Sequence, residues 1–239
     1  MLTHILIFVL TLFAGFIQRV SGFGFGIFVM MFFPLFLPSY GESTTLSGLL
    51  AGSTALIIAI RYFRHIRWNI MLPLLVTNII ASYIAIEYMA SMSSSTLKRS
   101  FGAMFVAIAL YFLFFENRVR LAGNGFVKTA LGILSGIMGG MFAMPGPPIV
   151  LCCINIIKEN IAYIATLQAF SVILNVFYTL FRAKAGFLGE EHLIWWSVGI
   201  TGAAIGSMVG AKVFSYLNSR VLKRTVYILL LVSGFISMI

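Results

Sequence analysis

The chain has 239 residues, of which 61% are hydrophobic and only 9% charged, with a formal net charge of +10. So few charges cannot clothe a soluble domain, in which about a quarter of residues are charged. The apolar runs reach the roughly 17–25 residues that a membrane-crossing helix needs, without the short alternating segments of a β-barrel. The basic residues fall between apolar runs rather than along one stripe, so the charge reports membrane orientation and excludes a nucleic-acid partner.

The first predicted element opens at "MLTHILIFVL", which carries no basic leader and reads as a membrane segment rather than a cleaved signal. It belongs to a broken apolar segment over 3–38 that holds Arg19, Gly22, Gly24, Gly26, Pro34 and Pro38. Spans are predicted over 42–61, 69–90 and 97–115. The polar stretch "ENRVRLAGNG" (116–125) links them to a second broken segment over 126–157. There "GGMFAMPGPP" brings Gly139, Gly140, Pro145, Gly146, Pro147 and Pro148, and the Gly146–Pro148 run is expected to interrupt the helix. Three further spans are predicted over 160–181, 192–214 and 222–239.

The two stretches read as copies of one unit, 1–115 and 126–239. "TLFAGFIQRVSGFGFG" aligns with "TALGILSGIMGGMFAM", "TLSGLLAGSTALIIAIR" with "TLQAFSVILNVFYTLFR", and "TLKRS" with "VLKRT". These pair Thr54 with Asn175 and Arg61 with Arg182 and, with Gly15 set against Gly132 and Gly22 against Gly139, leave Arg19 opposite Gly136. If each broken segment turns back as a re-entrant hairpin, each copy crosses the membrane an odd number of times and the copies are inverted. That arrangement puts most basic residues on one side and leaves Lys98, Arg99, Arg182 and Lys184 on the other, as the positive-inside rule favours. The fold class is therefore an all-α integral membrane protein of two inverted repeats, each a broken Gly-rich segment followed by three transmembrane helices.

Paired helix interruptions at matching places in two repeats point to a transporter's substrate site. Freed N–H groups at such breaks suit an anion. Arg19 adds a full charge that is costly inside a span and is expected to hold an anionic head. Gly22, Gly24, Gly139 and Gly140 are candidate backbone contacts, and Gln18, Ser21, Gln168 and Asn175 candidate hydrogen-bonding partners. Phe23, Phe25 and Phe142 are candidates to shape the pocket. Gln168 and Asn175 lie seven apart, on one helix face. Gly202, Gly206 and Gly210, with the matching Gly132, Gly136 and Gly140, mark faces for close helix packing.

There is no aspartate, and the six glutamates sit in loops or near span ends, which argues against a buried acid relay. The adjacent Cys152 and Cys153 read as small buried residues. No Ser/His/Asp set, paired acid or metal-ligand spacing is present, so neither enzymatic activity nor a cofactor is expected.

"GFIQRVSGFGFG", "GILSGIMGGMFAMPGPP", "RHIRWNIMLPLLVTNIIASYIA" with "LKRS", and "GAAIGSMVGAKV" with "LKRT" together resemble the TauE/SafE family over nearly the whole length. The resemblance implies a multi-pass inner-membrane secondary transporter of small sulfur-containing anions such as sulfite, thiosulfate or organosulfonates, working by alternating access. Its partners would be a small anionic substrate and the lipid bilayer. A coupling proton or ion and self-association as a homo-oligomer stay open, as do a carrier or channel for another organic anion and a non-transporting assembly subunit.

Overall fold

Local signals set where the helices begin. Ser39 accepts the N–H of Glu42 at 3.1 Å and starts one helix, and Asn124 accepts that of Val127 at 3.0 Å and starts another. The computed structural model describes residues 1–21, 24–115, 124–213, 228 and 231. Its helices are α1 (Leu2–Ser21), α2 (Phe25–Met30), α3 (Tyr40–Arg61), α4 (Trp68–Ser91), α5 (Ser94–Phe115), α6 (Gly125–Phe142), α7 (Gly146–Ile156), α8 (Asn160–Lys184) and α9 (Glu191–Val213). Short 3-10 turns follow α2 and α3. The predicted span over 222–239 and most of the linker lie outside the described residues.

Six of the described helices are long and apolar enough to cross a membrane. On α4, Leu72, Val76, Ile80 and Ile84 recur every four residues and are all exposed, while Met71, Leu74, Asn78 and Ser82 face inward. An exposed apolar stripe of that length is a lipid-facing surface.

The helices pack by exchange between the two halves. α1 lies on α9, and α6 on α4; α3 and α8 cross between them. Glycines make this possible. A Cβ on Gly206 would overlap the carbonyl of Leu12, and one on Gly132 would overlap the Thr77 side chain. Both glycine stripes therefore serve close backbone approach, as the sequence predicts.

Contact register also gives direction. Gly199 lies beside Ile7, Gly202 beside Phe8 and Thr11, and Gly210 beside Arg19, so α1 and α9 run the same way. Gly132, Gly136 and Gly140 meet Leu74, Asn78 and Ser82 in turn, so α6 and α4 do too. On α3 and α8 the order reverses. Thr44 meets Arg182, and Gly52 meets Asn175. The first spans after each break, α3 and α8, are antiparallel.

Candidate functional site

Both broken segments are broken in the structure, and the local chemistry differs. On the first, Gly24 has φ 101° and precedes α2 directly, a backbone conformation that glycine adopts without a Cβ penalty. On the second, α6 ends at Phe142, and Ala143 takes the left-handed conformation at φ 56°. Its N–H donates to Gly139 O at 3.1 Å, and Met144 N–H donates to Met138 O at 3.2 Å. This pair of bonds closes a helix C-terminus. The break therefore spans 143–145, not the Gly146–Pro148 run. Gly146, Pro147 and Pro148 form the first turn of α7, where a proline's missing N–H costs nothing.

The two breaks meet. A Cβ on Gly26 would stand 2.8 Å from the Ala143 carbonyl oxygen, so glycine is needed at this crossing. Beside it lies a cavity of about 110 Å³. That is room for several waters or one small anion, since a single water needs about 10–15 Å³ on this measure. Gln18, Gly24 and Gly26 line it from the first segment, and Ala143 to Pro147 from the second. Gln168, Ser171 and Asn175 line it from α8.

Its polar groups are held in place. Thr54 Oγ1 donates to Gln18 Oε1 at 3.3 Å. Asn175 Nδ2 donates to Ser171 O at 2.8 Å. Among the described lining residues none is charged. The lining is neutral and polar on α1 and α8 and apolar elsewhere, which suits a small solute with hydrogen-bonding oxygens.

Of the predicted site residues, the structure brings Gln18, Gly24, Gln168 and Asn175 to this cavity. Phe25 joins them, whereas Phe142 packs on Phe101 with ring centroids 6.2 Å apart. Ser21 ends α1, and Gly22 and Phe23 lie outside the described residues. Arg19 is exposed on the last turn of α1, with its Cβ against the Gly210 position of α9, and does not line the cavity. Gly139 and Gly140 stand inside the last turn of α6. Their N–H groups point back along the helix and their carbonyls point to its end, where Gly139 O accepts from Ala143 N–H and keeps a second lone pair.

What meets those carbonyls is Arg182, which loop charge placed at the outer surface. α8 runs on to Lys184, so Arg182 is a helical residue, and it is wholly buried. Its Nη2 donates to Gly139 O at 2.7 Å and Gly140 O at 3.0 Å, and its Nη1 to Thr44 O at 3.0 Å. The guanidinium also stands 5.4 Å from the Tyr178 ring centroid. A cation here matches the negative end of α6. Tyr178 Oη in turn donates to Asn78 Oδ1 at 2.8 Å, Asn78 Nδ2 to Ser135 Oγ at 2.9 Å, and Ser135 Oγ to Pro145 O at 2.7 Å. α8 thus holds both sides of the second break. The signal was present: residues 168, 175, 178 and 182 follow the helix period on one face.

A family model described as Sulfite exporter TauE/SafE matches residues 7–236. No curated protein and no solved structure matches the chain.

Proposed function

The chain belongs to the sulfite exporter TauE/SafE family, and on that premise we propose that it is a secondary transporter of small sulfur-containing anions in an inner membrane. Sulfite, thiosulfate and organosulfonates are the substrate class. The observation that carries the reading is the cavity at the meeting point of the two breaks, between the antiparallel α3 and α8. Two halves built as inverted repeats support alternating access, because exchanging their conformations opens the same site to the opposite side. The antiparallel α3–α8 pair and the exchanged α1–α9 and α4–α6 pairs support that inversion.

In this reading the amides of Gln18, Gln168 and Asn175 meet the anion's oxygens, with the Gly146 N–H at the start of α7. Gly139 and Gly140 act through Arg182. Arg19 stands outside the cavity and raises the local anion concentration at its mouth. The described lining holds no carboxylate, so a coupled proton would travel on the anion or on water.

The test is uptake of radiolabelled sulfite and thiosulfate into proteoliposomes. A Cβ on Gly146 meets nothing within 4 Å, so a side chain there enters open space. Gly146→Leu is expected to cut saturable uptake at least tenfold in a protein that still folds, because Gly146 lines the cavity and its Cβ position is open. Normal uptake by that variant sinks the assignment of the cavity. Arg19→Ala is expected to raise KM only about twofold at low salt. An exposed charge that acts through water on an anion it does not touch contributes well under about 1 kcal/mol. A hundredfold loss would instead place Arg19 in direct contact with the anion.

A further inference from the structure

We infer that Ser135 is a positioning residue for anion binding: it turns the Pro145–Gly146 peptide so that the Gly146 N–H faces the cavity that Gln168 also lines. The inference rests on the transporter reading and names what orients that site. Ser135 Oγ donates to Pro145 O at 2.7 Å. No peptide bond among the described residues is cis, and a trans peptide holds its N–H opposite its C=O. Holding the Pro145 carbonyl toward α6 therefore directs the Gly146 N–H away from α6. Gly146 lines the cavity and Ser135 does not. The Cβ position of Gly146 has nothing within 4 Å, so the space beside it is open.

Two observations mark this N–H as a ligand contact. Among the described residues nothing accepts it. It is also the only backbone donor in the first three residues of α7, because Pro147 and Pro148 carry no N–H. Gln168 supplies the second observation. It is only 7% exposed, it lines the same cavity, and its amide has no hydrogen-bond partner among the described residues. Amides buried to that degree are ordinarily paired. The Gln168 amide nitrogen and the Gly146 N–H both donate. What satisfies both is an acceptor, and the positive end of α7 favours one that is an anion's oxygen.

Ser135 is itself held. Its Oγ accepts from Asn78 Nδ2 at 2.9 Å, and Asn78 Oδ1 accepts from Tyr178 Oη at 2.8 Å. All three residues are wholly buried. The direction of the chain follows from its members. Tyr178 donates to the Asn78 oxygen, which leaves the Asn78 nitrogen to donate to Ser135, and the Ser135 hydrogen goes on to the Pro145 carbonyl. Such a buried, fully paired chain fixes the orientation of its last acceptor. It runs from α8 through α4 to α6 and ends on the break.

The competing account is that Ser135 only holds the fold together. The sequence Pro–Gly occurs once in the chain, at Pro145–Gly146. Full-length protein made with carbon-13 carbonyl proline and nitrogen-15 glycine therefore gives a single correlation across that peptide in an NMR spectrum. Sodium thiosulfate is expected to move the Gly146 amide proton downfield as a charged acceptor engages it. Ser135→Ala is expected to abolish that movement and to raise the KM for thiosulfate uptake about tenfold with kcat little changed. A merely structural Ser135 would lower the unfolding temperature and leave the movement in place. The full movement in folded Ser135→Ala, or in the closely sized but weakly donating Ser135→Cys where alanine does not fold, overturns the positioning role. An unmoved wild-type amide in protein that takes up thiosulfate saturably overturns the inference and leaves the transporter reading standing. An unmoved amide with no uptake of sulfite or thiosulfate overturns both.

Discussion

Arg182→Lys is expected to lower the stability of the purified protein by about 2–4 kcal/mol, and to do so more than Arg182→Met. The arginine fork reaches three carbonyls on two helices. A lysine keeps a buried charge, with its full desolvation cost, but presents a single ammonium that cannot span α3 and α6 together. Hydrogen bonds to charged groups contribute about 1.5–3 kcal/mol each, and the cation–π contact of the guanidinium with the Tyr178 ring, 5.4 Å from its centroid, is altered as well. Methionine loses the same bonds and also removes the charge, so part of its cost is offset by the relieved desolvation. The carbonyls share the consequence unequally. Gly139 O keeps its bond from Ala143 N–H, and Thr44 O lies inside α3, whereas Gly140 O lies in the last turn of α6. Thermal unfolding of the two variants in detergent reads the order directly. If lysine is tolerated better than methionine, the fork geometry is not what holds α6.

Gly206→Ala is expected to cost about 3 kcal/mol or more and to remove most folded protein from the membrane. Alanine is the better helix former by about 1 kcal/mol, so propensity alone predicts stabilisation. Packing decides the sign. The added Cβ would overlap the Leu12 carbonyl and press on the Phe16 nitrogen at 3.0 Å, both rigid backbone atoms of α1. Overpacking costs about 1–3 kcal/mol when side chains can move, and more when backbones must separate. α1 and α9 would have to part along their length, and with them the exchange that joins the two halves. Gly125→Ala is the control. That Cβ meets nothing within 4 Å at the start of α6, so only the gain in propensity remains. Equal unfolding temperatures for the two variants would show that the α1–α9 contact is not tight.

Much of the fold was legible because membrane helices are declared by length and composition. The spans predicted over 42–61, 69–90, 160–181 and 192–214 coincide with α3, α4, α8 and α9 to within a few residues. The two breaks were also legible, since glycine and proline act on their own backbone. The second was placed a few residues late, because Pro147 and Pro148 were read as ending a helix when they begin one. A proline is tolerated at a first turn as readily as beyond a last one, so its presence alone does not say which. At the cavity, Gln18, Gln168 and Asn175 were legible as amides in apolar spans, which need a polar destination.

The interior charge was not legible. Arg19 and Arg182 are both arginines at the last turn of a membrane helix. One is exposed and the other has no exposed surface. The helix period sets Arg182 on the face of Gln168 and Asn175, but it does not say how deeply that face is buried, because burial belongs to the neighbours. Arg182 faces α3 and the carbonyls at the end of α6, which compensate a guanidinium; Arg19 lies along α9, whose facing residue is Gly210. The sequence by itself determined a membrane bundle, its two interruptions and the amides between them, all set by local chemistry. Only the tertiary structure decided which cation lies inside, because that depends on which acceptors the exchanged packing of the two halves brings within hydrogen-bonding reach.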